Sequence, residues 1–288
     1  MRDADVVPAP ALVIAAIASV QSGAAIAIKL FPAVGSGGAL FLRLAIAAVV
    51  LGVAVRPPLR TFSRTDLGLM VGFGVVLAAM NASFYIALDR IPLGVAVTIE
   101  FLGPLAVAVA GSRRLADGAW VLLAAVGVVL LARGGGHLSA AGLVGAAVAA
   151  VCWAGYILLS QRVGRAVPGL SGLAVALMVG AVLSAPYGIV AGGVDLVRPS
   201  ILGKGLALAL LSSVLPYSFE LFALRRMRAA VFGVLMSLEP GMAALSGLIF
   251  LGQHLRAREW LALGCVVAAS VGATAAARDR LPAAMIEG

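Results

Sequence analysis

The chain has 288 residues, 62% of them hydrophobic and 11% charged, with a mean hydropathy of +1.12. Soluble domains carry roughly 25% charged residues, so this composition excludes a cytosolic enzyme, a secreted module and a disordered chain. The formal charge of +9 would point to nucleic acid in a polar protein, but here the basic residues punctuate apolar runs, which is the pattern of membrane topology. The expectation is an integral membrane protein with the lipid bilayer as its solvent and no nucleic-acid partner.

Reading apolar windows against their breaks predicts ten helical spans: 11–30, 37–55, 67–88, 93–111, 118–132, 142–160, 170–191, 205–224, 230–251 and 260–277. The first is longer than the apolar core of a cleavable signal, and Asp3 and Asp5 beside Arg2 make a poor signal flank, so it reads as a retained span. The fifth is short and borrows flanking residues. Continuous runs exclude the alternating strands of a barrel, and lipid leaves helices as the only way to satisfy the backbone. Counting Lys and Arg with the N-terminus inside puts thirteen on the cytoplasmic side and seven outside, with Arg43 inside a span. Both termini are therefore expected in the cytoplasm. Cys152 and Cys265 lie in apolar runs without CxxC spacing, and His137 and His254 are isolated in loops, so neither a metal, a cofactor nor a disulfide framework is expected.

The two halves resemble each other. Ser83-Phe84-Tyr85-Ile86-Ala87-Leu88 matches Ser218-Phe219-Glu220-Leu221-Phe222-Ala223-Leu224, and Pro104 and Pro240 each follow an arginine (Arg90, Arg226) by fourteen residues. Trp120 and Trp260 open the fifth and tenth spans. Five spans per half turn the second upside down relative to the first. The predicted fold is an all-α integral membrane protein of ten transmembrane helices, arranged as two inverted five-helix repeats over residues 1–137 and 138–288. Such halves can rock about a central site in secondary transporters; the competing reading is the chance likeness of any two Ala/Leu/Val-rich helices.

A charge at the centre of a span costs about 2.5–3.5 kcal/mol on insertion scales, so Arg43, Glu100, Glu220 and Glu239 each need a reason. Glu239 lies near the midplane, where a carboxylate can exchange protons or can serve structurally beside Pro240. Glu220 sits near a span end, where it either acts in the site or reaches out toward Arg225 and Arg226. Gln21, Asn81, Tyr85, Tyr156, Gln161, Tyr217 and Ser237 form the uncharged polar set. Asn81 and Tyr85 share one helix face, as do Tyr217 and Glu220. These groups can bind a zwitterion or act as interhelical hydrogen bonds.

Over essentially the whole chain these residues resemble the EamA-type members of the drug/metabolite transporter superfamily, and within it the exporters of threonine and homoserine. The resemblance rests on Ala18-Ser19-Val20-Gln21-Ser22-Gly23, Leu42-Arg43-Leu44, Met80-Asn81, Phe84-Tyr85, Ile91-Pro92-Leu93-Gly94, Glu100-Phe101 with Gly103-Pro104-Leu105-Ala106, Cys152-Trp153-Ala154, Leu215-Pro216-Tyr217-Ser218 and Leu235-Met236-Ser237-Leu238-Glu239-Pro240. It implies a ten-helix bundle with a central cavity that exports amino acids or related small metabolites across the bacterial inner membrane, driven by protons and without enzymatic activity. It implies a functional monomer, since both halves are in one chain. Two departures stand out. Gln253 replaces a glutamate common in the wider family, so no coupling carboxylate is expected there. Asn81 is followed by the small pair Ala82-Ser83, which bears on the cavity wall and the substrate.

One pairing follows from depth. With these directions Arg43 lies six residues below the outer boundary and Glu100 seven, about 9 and 10.5 Å at the helical rise. Opposite charges at matched depth can neutralise each other, and a guanidinium can hold a carboxylate bidentately. A direct Arg43–Glu100 contact is predicted, against the alternative in which Arg43 reaches outward alone.

Overall fold

The computed structural model describes residues 7–110, 115–132, 138–167, 169–224, 232 and 235–278, and every regular element among them is helical. Helix α1 (Ala9–Val55) opens on a proline in its first turn, where the missing N–H has no intrahelical acceptor to lose. Its 47 residues would be about 70 Å long, more than twice a hydrocarbon core, so it cannot be one span. It bends at Gly35, whose φ of 68° and ψ of 167° are open only to a residue without Cβ. Pro32, three residues earlier, also denies a donor to the Ile28 carbonyl. The expected gap between the first two spans is thus one non-helical residue joining arms 9–34 and 36–55.

Helix α2 (Arg64–Leu88) starts at a reciprocal capping box between Ser63 and Asp66. The predicted fourth span is broken: α3 (Leu93–Glu100) and α4 (Leu102–Ala110) meet at Phe101, three residues before Pro104. A proline there cannot donate to the Glu100 carbonyl, so the ladder lapses. Helix α5 (Leu115–Ala132) borrows three residues before the predicted start. Helix α6 (Ala140–Ala166) is capped by Ser139, and α7 (Ser171–Gly192) continues as a 3-10 turn, Gly193–Val197. Helices α8 (Pro199–Ala209) and α9 (Leu215–Leu224) are joined by a π-helical segment, Leu210–Val214. Helix α10 (Glu239–Leu251) has Pro240 in its first turn and Gly252 as a left-handed cap, and α11 (Ala257–Arg278) follows. The predicted start of the ninth span, at 230, falls outside the described residues, as does His137. Helices α1, α2, α6 and the run from α7 through its 3-10 turn are long and apolar enough to cross a membrane.

Without a hydrophobic drive between helices in lipid, close backbone approach through small residues holds such a bundle together. The 9–34 arm lies on the π segment and α9: Gly23 meets Ser212, and Val13 and Ile17 cluster with Ala223. The 36–55 arm packs on α7 and α8, where Gly38 faces Gly192 and Gly205 faces Leu42 and Ile46. Helix α2 packs on α6 and α7, with Gly145 under Ser83 and Gly74 against Val179. Helix α3 crosses α10 at Gly94, where a Cβ would stand 2.9 Å from the Ala244 Cα. Helix α5 pairs with α11 through Gly127 against Ala262 and Gly272 under Trp120. The main core gathers Leu30, Leu40, Leu44, Met70, Leu77, Leu93, Leu177 and Leu208. Val182, Val190 and Val194 point outward almost bare, an arrangement that suits lipid and not water.

Candidate functional site

Both arms of α1, together with α2, the broken helices, α6, the π segment, α9, α10 and α11, surround a cavity of about 570 Å³. That is within the usual size of small-molecule sites. Its wall is largely apolar and aromatic, with Phe84, Phe101, Pro104 and Trp153, and Trp153 stands edge-on to Phe101 at 5.6 Å. All four charges that the sequence places inside spans, Arg43, Glu100, Glu220 and Glu239, line this one cavity. Asn81 and Tyr156 line it too; Tyr156 stacks on Phe73 at 4.9 Å, and the Asn81 amide donates to the Leu77 carbonyl at 2.9 Å.

Gln161 of the expected polar set lines the cavity as well, whereas Gln21, Tyr85 and Ser237 sit one layer back. Gln21 Nε2 donates to Glu239 Oε1 at 3.2 Å, which orients that carboxylate across the bundle. Among the described residues, Glu239 Oε2 and Gln21 Oε1 are buried without a hydrogen-bond partner. Tyr85 is fully packed, its ring 5.8 Å from Phe31 and 5.9 Å from the Arg43 guanidinium carbon. Asn81 and Tyr85 therefore do not present a common cavity face. Ser237 shares a 2.8 Å hydroxyl contact with Ser270, and it is Ser270 that lines the cavity. The side chain of Tyr217 lies outside the described residues.

The predicted Arg43–Glu100 contact is not formed. Arg43 Nε donates to Ser213 Oγ at 3.2 Å and Nη2 to the Ser212 carbonyl at 2.9 Å, and neither ion pair among the described residues involves Arg43 or Glu100. Helical rise fixes depth but says nothing about azimuth, and Arg43 is turned toward the π segment. A π bulge leaves ladder carbonyls short of donors. Two of these are served from α1: Ser212 by Arg43, and Leu211 by the Ser19 hydroxyl at 2.7 Å. The Glu100 carboxylate makes no hydrogen bond among the described residues, and Arg43 and Glu239 are its charged neighbours across the cavity.

Three contributors were not singled out in the sequence, Ser212, Ser213 and Ser270, and Trp153 was named there only within the Cys152-Trp153-Ala154 motif. The adjacent pair Ser212-Ser213 inside an apolar run was the signal available. Gln253 was noted only as a departure, yet its Oε1 accepts from the Leu93 N–H at 2.9 Å and so caps α3 from the far end of α10.

A profile of the EamA-like transporter family matches residues 140–275. The threonine/homoserine exporter RhtA of Escherichia coli (strain K12) is 42% identical over 270 residues, covering 93% of this chain and 91% of its own. RhtA of Salmonella typhimurium (strain SL1344) is 44% identical over 262 residues, covering 90% and 88%. A solved crystal structure superposes with a TM-score of 0.61 at 22% identity, over 94% of this chain and 98% of its own, a likeness of fold alone. With a cavity lined by charges inside an apolar helical bundle, and threonine/homoserine exporters as relatives matched along nearly their whole length, the chain is a membrane protein of the EamA-like transporter family.

Proposed function

We propose that the protein is a secondary active exporter of amino acids of the threonine and homoserine kind, working by alternating access in the bacterial inner membrane with both termini in the cytoplasm. The observation that carries this reading is one guanidinium and three carboxylates lining a single cavity, an arrangement costly in lipid and useful for a zwitterion.

Ten spans in two inverted five-helix repeats, 1–137 and 138–288, are supported by the packing pattern. Exchanging the halves carries α2 on α6 into α8–α9 on the first arm of α1, while the second arm on α7, α3 on α10 and α5 on α11 map onto themselves. Both broken spans lapse three residues before a proline, at Phe101 and at Ser237. Broken helices of this kind carry substrate and ion sites in secondary transporters. Proton coupling is assigned to Glu239, because its Oε2 is buried beside the cavity with no hydrogen-bond partner among the described residues, ready for a proton. One chain suffices for the cavity, so the monomer is the working unit.

Vesicles loaded with labelled threonine test the reading. Efflux is expected when the protein is present, accelerated by an inward proton gradient. Vesicles that retain threonine and homoserine in either condition would overturn amino-acid export. A broader metabolite exporter is the second reading, favoured by the aromatic wall of Phe84, Phe101 and Trp153, and it predicts efflux of larger apolar amines or acids instead.

A further inference from the structure

The two poles of the cavity are open in a way that assigns them. Arg43 carries five N–H donors in a rigid fork. The π segment takes two, Nε to Ser213 and one Nη2 N–H to the Ser212 carbonyl, and these fix the plane of the guanidinium. Tyr85 backs the group from behind. Among the described residues the remaining N–H groups meet no hydrogen-bond acceptor, and Arg43 lines the cavity. A planar donor edge held from one side and open on the other fits a carboxylate.

Glu100 is the counterpart. It closes α3, its carboxylate lines the cavity, and it makes neither hydrogen bond nor ion pair among the described residues. Because Pro104 has no N–H, the Glu100 main-chain carbonyl also lacks its helical donor. The end of α3 thus gathers acceptors at the negative pole of a helix, which suits a cation with several N–H groups. Glu239 is less free for this role, since Gln21 holds one of its oxygens.

Resting on the export reading above, we infer that Arg43, held by Ser212 and Ser213, binds the substrate's α-carboxylate while Glu100 binds its α-ammonium. The site therefore selects molecules that carry both groups and are small enough to bridge them. No direct ion pair joins the two groups among the described residues, so a zwitterion lying between them can meet both. Amino alcohols, amino-acid amides and N-acylated amino acids each leave one pole unpaired.

The test is competition against labelled threonine in vesicles carrying the full-length protein, with threoninol (no carboxylate) and N-acetylthreonine (no ammonium) beside unlabelled threonine. In the unmodified protein both analogues are expected to compete about tenfold or more weaker than threonine, the value of one charged hydrogen bond. Arg43→Gln should lower threonine affinity by a similar factor and leave threoninol where it was; Glu100→Gln should do the same with respect to N-acetylthreonine. If Arg43→Gln does not reach the membrane, Arg43→Lys keeps the charge without the fork and should narrow the threonine/threoninol ratio. An unchanged ratio in the Arg43 variants, or equal competition by all three compounds in the unmodified protein, overturns the assignment while export itself stands. Failure of the unmodified protein to move threonine or homoserine overturns the export reading, and the assignment falls with it.

Discussion

Removing the Gln253 side chain isolates one hydrogen bond with a calculable effect. The first N–H groups of any helix lack intrahelical acceptors, and Pro92, at the cap of α3, offers no side-chain bond. Leu93 is completely buried, and its N–H has the Gln253 Oε1 at 2.9 Å. Leaving such a donor unmet costs about 1–3 kcal/mol. In a helix of eight residues that loss is not diluted by length. Gln253→Ala and the similarly sized Gln253→Met should therefore both lose about 1–3 kcal/mol. Gln253→Glu keeps the acceptor, adds a negative charge at a helix N-terminus and should match or exceed the parent by about 0.3–1 kcal/mol. Reversible unfolding in mild detergent, followed by tryptophan fluorescence, gives the three values. Gln253→Met within about 0.5 kcal/mol of the parent would refute the cap, since only the acceptor differs greatly between the two side chains.

Three further outcomes follow from other contacts. Gly94→Ala should destabilise by about 1–3 kcal/mol, because its new Cβ meets main chain at Ala244, and Gly94→Ala with Ala244→Gly should recover part of that in the same unfolding assay. Glu239→Gln should abolish the acceleration of threonine efflux by a proton gradient while leaving threonine/threonine exchange intact, as measured in vesicles; retained acceleration would move the coupling role elsewhere. In a cysteine-free background, Thr61→Cys should react with an impermeant maleimide in inverted membranes and not in intact cells, as the proposed cytoplasmic placement of the α1–α2 loop requires.

Much of the bundle was legible because lipid imposes one rule on every span. Long runs without charges can only be helices in lipid, and matched prolines and tryptophans are what led to the expectation of a repeat. The interruptions were harder to read, although their cause was in view. Pro104 and Pro240 sit inside strongly apolar windows, and hydropathy averages across them, yet each removes a donor from the carbonyl four residues before. Nothing in Leu210–Val214 announces a π segment, since one extra residue per turn leaves no compositional trace. That segment is what separates the expected Arg43 partner from the observed one. The four charges inside spans could be grouped as a set in the sequence because each is individually untenable in lipid, and all four line one cavity. Their azimuths, and the serines that orient Arg43, come from packing that depth alone does not encode.

The two helix breaks also bear on how the chain is put into the membrane. Helix α3, at eight residues, and α10, at thirteen, are about 12 and 20 Å long, each too short to cross alone. Each break is sheltered by the opposite half: Gly103, just past Phe101, lies against the Ala150 main chain on α6, and Glu239 is met by Gln21 on the 9–34 arm. During synthesis the first break reaches the bilayer before α6 exists. The nascent first half must therefore keep its unmet backbone groups near water or the insertion machinery until residue 150 has entered. Assembly is sequential in translation but mutual in completion, so neither half is a finished membrane domain until the other has docked against it.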